Sequence, residues 1–156
     1  MRPLSDTPLQ LWVVLARAFD AVERHSRASI TRFGLGSTEF GVLEVLYHKG
    51  ELPVCEVQRR ILVESSSTTY VVDKLVARGL VRRRRSATDR RSVRLALTPE
   101  GRRLIRRIFP PHAHAMRHAV GALPPREQTQ AVRLLRALGL GAAGRLKEPE
   151  TSHDHA

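Results

Sequence analysis

The segment LVESSSTTYVVDKLVARGLVRRRRSATDRRSVRLALT, from Leu62 to Thr98, decides how the rest of the chain is read. Its first part predicts a helix. Ser65, Ser66, Ser67, Thr68 and Thr69 crowd the amino end, and Tyr70, Val72, Leu75 and Val76 recur at helical spacing until Gly79 stops the pattern. Leu80 and Val81 then lead into Arg82, Arg83, Arg84 and Arg85, a polar turn through Ala87, Thr88 and Asp89, and the alternating Val93, Leu95 and Leu97. Two extended runs around a polar turn describe a β-hairpin.

A helix followed at once by a basic hairpin is the layout of a winged helix. In that arrangement the helix enters the DNA major groove with its amino-terminal side chains towards base edges, and the hairpin reaches the neighbouring backbone or minor groove. The charge distribution agrees. The chain carries a net charge of +12, and between Asp73 and Arg107 there are 13 Lys or Arg against three Asp or Glu. Nearly the whole imbalance therefore lies in one stretch. Such a patch attracts polyanions by releasing their condensed counterions. An anionic membrane surface is the weaker partner, because a polar hairpin lacks the wide apolar face of an interfacial helix.

Working outwards, Thr7 and Pro8 signal a helix start, and Leu9, Trp12, Val13, Ala16, Phe19, Val22, Ser26 and Ile30 continue one face of a long first helix. That stripe exceeds what one small core needs, so part of it is expected to face a second subunit. After a break from Gly34 to Ser37, a short helix carries Phe40, Leu43, Leu46 and Tyr47 and ends at Gly50. Pro53 opens a third helix with Val54, Val57 and Ile61 inward, and the turn of a helix-turn-helix falls around Val63 to Ser65. Beyond the hairpin, Thr98, Pro99 and Glu100 repeat the helix-start signal, and Pro110 and Pro111 are expected to kink or divide the helix that follows. A last helix from Pro125 uses Val132, Leu134, Leu135 and Leu138. The glycines and polar residues of 140–156 predict a disordered tail.

At 156 residues the chain suits one domain with tails. The hydrophobic fraction of 42% with only 4% aromatic implies a core of Leu, Val and Ala, which favours helices. The single cysteine excludes an internal disulfide, no early apolar run of signal-peptide type is present, and no stretch approaches the ~20 apolar residues of a membrane span. A cytoplasmic protein is expected. Phosphate-binding glycine loops, nucleophile elbows and HExxH are lacking, so an enzyme is not expected, nor a cofactor.

Capping the recognition helix requires only one or two of its hydroxyls. Five in succession beside an arginine-rich hairpin point to DNA, with Ser66, Ser67, Thr69, Tyr70 and Lys74 the leading candidates, Ser65 and Thr68 beside them, and Lys74 on phosphate. Alternate strand residues face opposite ways, so not all the wing arginines reach a duplex. Arg84 is expected to, and Arg90 and Arg91 at the tip are placed to enter a narrow minor groove, with Asp89 orienting the side chain beside it. A zinc-sensing alternative rests on His114 and His118, four apart on one helical face, with His112 nearby. A redox-sensing alternative rests on Cys55, for which a structural thiol is the simpler explanation. A non-specific architectural DNA-binding protein would use the same basic patch.

The run SSSTTYVVDKLVARGLVRR, the tip residues Asp89, Arg90 and Arg91, and LTPEG at Leu97 to Gly101 resemble in type and spacing the central motif of the MarR (multiple antibiotic resistance regulator) family, and the likeness spans roughly Leu9 to Leu138. The resemblance implies a mainly α fold with a small β-hairpin wing: a winged helix-turn-helix, residues 1–139, with a DNA-binding module at about 37–98 and dimerisation helices at about 8–33 and 99–139. It also implies a bacterial homodimer on a pseudo-palindromic double-stranded DNA operator, repressing its own or neighbouring genes until a small aromatic or phenolic effector releases it. Such effectors lie between the dimerisation helices and the DNA module, so Trp12, Phe19, Phe40, Leu43 and Tyr47 are pocket candidates, although each also suits a core. The sequence FPPH, Phe109 to His112, resembles members that respond to quinones and related phenols. Pro124 stands where the family's last helix usually has a Ser or Thr cap.

Overall fold

The structure is a computed structural model that describes residues 6–61 and 65–146, with 65–67 described by their backbone alone. In chain order the elements are α1 (Thr7–Thr31), α2 (Ser37–Lys49), β1 (Leu52–Pro53), α3 (Val54–Arg60), α4 (Ser65–Ala77), β2 (Val81–Arg85), β3 (Val93–Leu97), α5 (Pro99–Ala119) and α6 (Pro125–Arg145). This is the mainly α winged helix expected from the sequence. Two compact units are present, one ending at Ala119 and the other beginning at Val120. No described helix is long and apolar enough to cross a membrane.

The first unit is organised around α2. Phe40, Val42, Leu43 and Leu46 are buried there and meet Ile30 of α1, Val72 and Leu75 of α4, and Ile105 and Ile108 of α5. The buried face of α4 differs from the expected one. Thr68, Val72 and Leu75 point inward at intervals of four and three, whereas Tyr70 is 70% exposed. The reason is angular: Tyr70 stands two positions, about 200°, from the buried stripe, so its ring has to leave the core when Val72 enters it.

Gly79 closes α4 with φ +68, and the Leu80 amide donates to Leu75 O at 3.0 Å. That pairing is a Schellman cap, which needs a left-handed residue at the glycine position. The chain then enters β2, paired antiparallel to β3 from Val81↔Leu97 to Arg85↔Val93. A third strand was not anticipated: Leu52 and Pro53 pair with Leu95 and Arg94, giving the order β1-β3-β2. Pro53 is tolerated because β1 is an edge, where a missing N–H breaks no ladder. The third helix accordingly starts at Val54, one residue after the expected proline.

Thr98 caps α5, its Oγ1 accepting from the Gly101 amide at 3.0 Å and donating to Gly79 O at 2.6 Å. Gly101 lies flat against the start of β2. A Cβ there would stand 2.0 Å from Leu80 O, so the glycine of LTPEG is demanded by close backbone approach. The expected division of α5 does not occur, since the helix runs unbroken through Pro110 and Pro111. Each ring deprives a carbonyl four residues earlier of its donor, but these belong to Arg106 and Arg107 on the exposed face, where solvent is available as a donor. Ile105, Ile108 and His112 anchor the buried face on both sides.

In the second unit α6 continues past Gly139 to Arg145, which corrects the expectation of disorder from residue 140. Leu138, Leu140, Ala142 and Ala143 are good helix formers and offset the glycines between them. The remainder of the expected tail, 147–156, lies outside the described residues. None of the residues of α6 is buried, and Val132, Leu134, Leu135, Leu138 and Leu140 are exposed large hydrophobics.

Candidate nucleic-acid interface

The amino end of α4 holds the expected hydroxyl cluster. Ser65, Ser66 and Ser67 occupy its first turn, and their side chains lie outside the described residues. Thr68 is fully buried and belongs to the core, which removes it from the exposed face on which it was expected. Thr69 and Tyr70 are exposed. Lys74 follows Tyr70 by one turn on that same face, but its Nζ lies 2.5 Å from Glu39 Oε1. The second oxygen of Glu39 is 3.2 Å from Arg78 Nη1, which also donates to Gly34 O at 3.0 Å. Glu39 is buried at the start of α2, and sequence periodicity gives no hint of it because its two partners lie far along the chain.

The wing divides its cations in the same manner. Arg83 pairs with Asp73 of α4. Arg84 and Arg94 face each other across β2 and β3 and share Glu51: Arg94 Nε donates to Oε1 at 3.0 Å and Nη2 to the Glu51 carbonyl at 3.1 Å, while Arg84 Nη1 stands 3.6 Å from Oε2. Arg84, expected on DNA, is thus engaged within the chain. Among the described residues no carboxylate is within ion-pairing distance of Arg82, Arg85, Arg90 or Arg91.

Asp89 does not act as expected. Its Oδ1 accepts from the Arg91 backbone amide at 3.0 Å and its carbonyl accepts from Ser92 N at 3.0 Å. Ser86 Oγ completes the turn by accepting from the amides of Thr88 and Asp89, each at 3.3 Å. The carboxylate therefore shapes the tip backbone and does not engage the guanidinium of Arg91. Between wing and helices lies an open cleft of about 480 Å³, lined by Val54, Cys55 and Gln58 on one side, Thr69 above, and Arg83, Arg91 and Val93 on the other. Thr69 and Arg91, 22 positions apart in the chain, meet on this one surface.

The effector candidates do not converge within the chain. Phe40 and Leu43 are core and Tyr47 packs against it, whereas Trp12 and Phe19 of α1 are 66% and 70% exposed. What α1, α2 and α5 bring together instead is His112, which periodicity did not single out as a pocket residue. Its Nδ1 is 2.9 Å from Ser29 Oγ, and its ring centroid is 4.5 Å from that of Phe40. Ser29 Oγ also stands 2.6 Å from Ser26 O, so this one hydroxyl links the α1 backbone to the His112 ring. Burial pushes the pKa of His112 below the usual 6.5, opposed by the charge of Glu44. His118 packs edge-on against His25 of α1, and no group of three His, Cys, Asp or Glu among the described residues is arranged to hold a metal ion. Cys55 is an exposed free thiol at the cleft.

Comparison with known proteins gives one answer. Residues 33–92 match the model of the MarR family. The HTH-type transcriptional regulator MhqR of Bacillus subtilis (strain 168) is 39% identical over 139 residues, covering 89% of this chain and 96% of that protein. Sco3205 of Streptomyces coelicolor, a MarR family regulator solved in complex with DNA, superposes with a TM-score of 0.80 at 25% identity, over 96% of this chain and 97% of its own. BpsR of Bordetella bronchiseptica, whose DNA binding is regulated by 6-hydroxynicotinic acid, superposes with a TM-score of 0.78 at 27% identity, over 89% and 97%.

Proposed function

The chain belongs to the MarR family of DNA-binding transcriptional regulators, and on that premise we propose that it is a cytoplasmic homodimeric repressor released from a pseudo-palindromic operator by a small aromatic or phenolic effector. The observation that carries the DNA contact is the shared surface of Thr69 and Arg91, where an exposed helix face meets a wing tip that has no ion-pair partner among the described residues. Ser65, Ser66, Ser67, Thr69 and Tyr70 face the major groove in this proposal, and Arg90 and Arg91 follow the adjacent minor groove or backbone. Two copies of α4 would enter successive major grooves roughly 34 Å apart.

Dimerisation is supported by the apolar surface each unit leaves uncovered. Leu9, Leu11, Trp12, Val14 and Phe19 project from α1, and α6 buries nothing while carrying a row of leucines. Exposed apolar helices of this kind mark protein contacts. An effector of the proposed chemistry suits His112, whose imidazole can hydrogen-bond a phenolic hydroxyl beside the Phe40 ring. Regulation of BpsR by a hydroxylated aromatic acid points the same way.

The test is selection of duplex fragments by the purified protein, followed by competition at physiological salt. A repressor favours one pseudo-palindrome over random duplex by ~10³ or more. Equal affinity for all sequences would favour an architectural protein instead. Addition of 6-hydroxynicotinate, catechols and quinones to the operator complex then tests release, and retention of the complex with all of them would remove the effector from the proposal.

A further inference from the structure

The carboxylate of Glu39 is 5% exposed, and it is the buried acid among the described residues. A buried ion pair stabilises a fold poorly, because desolvating the charges offsets most of their attraction. Its clearest effect is on where its partners point. Lys74 of α4 meets Oε1, and Arg78, the residue just after α4 ends, meets Oε2. Lys74 is still half-exposed and sits one turn beyond Tyr70, so an ammonium freed from Glu39 would extend from the face that carries Tyr70. Resting on the DNA-binding assignment of α4, we propose that Glu39 is a positioning residue that takes the place of a phosphate for Lys74. Held in this way, the carboxyl-terminal half of α4 adds nothing to counterion release. Discrimination between sequences is then left to the amino end of the helix and to the wing tip, whose contacts depend on the bases and groove shape they meet. A free lysine would instead raise affinity for every duplex equally, which lowers specificity.

The experiment measures binding of the full-length protein to operator and to random duplex across a salt titration, for the wild type, Glu39→Gln, Lys74→Gln and the double variant. Glu39→Gln is expected to bind random duplex more tightly and to steepen the log–log salt slope by about 0.9, which is a roughly threefold greater loss of affinity between about 50 and about 200 mM salt. Lys74→Gln alone should leave the slope unchanged, and the double variant should return to the wild-type slope. A purely structural role for Glu39 would lower binding and would not steepen the slope. The inference is overturned if folded Glu39→Gln keeps the wild-type slope, or if Lys74→Gln by itself flattens it by about 0.9, which would place Lys74 on a phosphate already. Should Glu39→Gln fail to fold, the slope of Lys74→Gln decides in the same two directions. A wild type that binds no duplex at low salt would instead remove the DNA assignment of α4, an outcome distinct from unchanged slopes.

Discussion

The arms of the wing and its tip both carry arginines, yet the chain treats them differently. In the arms Arg83 is tied to Asp73 of the preceding helix, and Arg84 with Arg94 is tied to Glu51 ahead of β1. At the tip Arg90 and Arg91 have no carboxylate in reach among the described residues, because the one nearby acid, Asp89, is turned onto the Arg91 backbone. The difference teaches that a block of positive charge is not one functional surface. Part-exposed pairs of this kind contribute only ~0–1 kcal/mol each, so Arg83, Arg84 and Arg94 aim the wing more than they stabilise it, while Arg82 and Arg85 of the same arm have no carboxylate in reach among the described residues. The tip arginines are what is being aimed.

The largest expected effect abolishes the comparison by removing both regions at once. Gly101→Ala would drive a Cβ into the Leu80 carbonyl at the root of β2, where the obstacle is backbone and cannot rotate away. A loss of ~3 kcal/mol or more in chemical denaturation is expected. A melt indistinguishable from wild type would show that the wing root yields, and with it the notion of an aimed wing. Next comes the tip. Arg91→Ala should weaken operator binding about tenfold and flatten the salt slope by about 0.9 without changing thermal stability, as read by a binding titration beside a melting curve.

The arms should show the converse. Arg94→Ala loses the two-pronged contact with Glu51 and is expected to lower stability by ~1 kcal/mol, with a smaller loss of DNA affinity than Arg91→Ala and an unaltered salt slope. Should its slope flatten as much as that of Arg91→Ala, arm and tip would be one surface after all. The smallest effect comes from pH, which leaves every guanidinium charged and so isolates the helical part of the unit. Burial keeps the folded pKa of His112 below its unfolded 6.5, so the unfolded chain binds more protons there. Stability due to this group is present above pH 6.5, is lost progressively as pH falls through 6.5 towards the folded pKa, and levels off below it. The difference between wild type and His112→Gln in denaturation from pH 8 to 5 should follow that course, and an increase in relative wild-type stability on acidification would reverse the sign.

Much of this architecture was legible because it is local. Gly79 as a stop, Thr98 and Pro99 as a start, and the alternation of Val93, Leu95 and Leu97 each report a backbone preference that acts within a few residues, and α4, the wing and α5 lie where those signals put them. The misread places are those where a distant partner outweighs the local signal. Two residues become β1 only because β3 offers them an edge. Pro110 and Pro111 remain helical because buried contacts on both sides hold the axis through them. Of the candidate site, the exposure of Thr69 and the tip position of Arg90 and Arg91 agree with the sequence pattern, while the outward turn of Tyr70 and the inward turn of Thr68 do not follow from it.

By itself the sequence determined the class of fold, the order of the helices and the hairpin, and the stretch that carries the charge, since periodicity, capping residues and net charge are properties of neighbouring residues. Which of those charges are available to a ligand was decided only in three dimensions. An arginine at position 83 and one at position 91 are the same side chain on the same hairpin, and they differ because Asp73 is folded against the first and nothing comparable reaches the second among the described residues. Electrostatic pairing falls off over a few ångströms, and contacts at that range between residues far apart in the chain exist only once helices and sheet have packed.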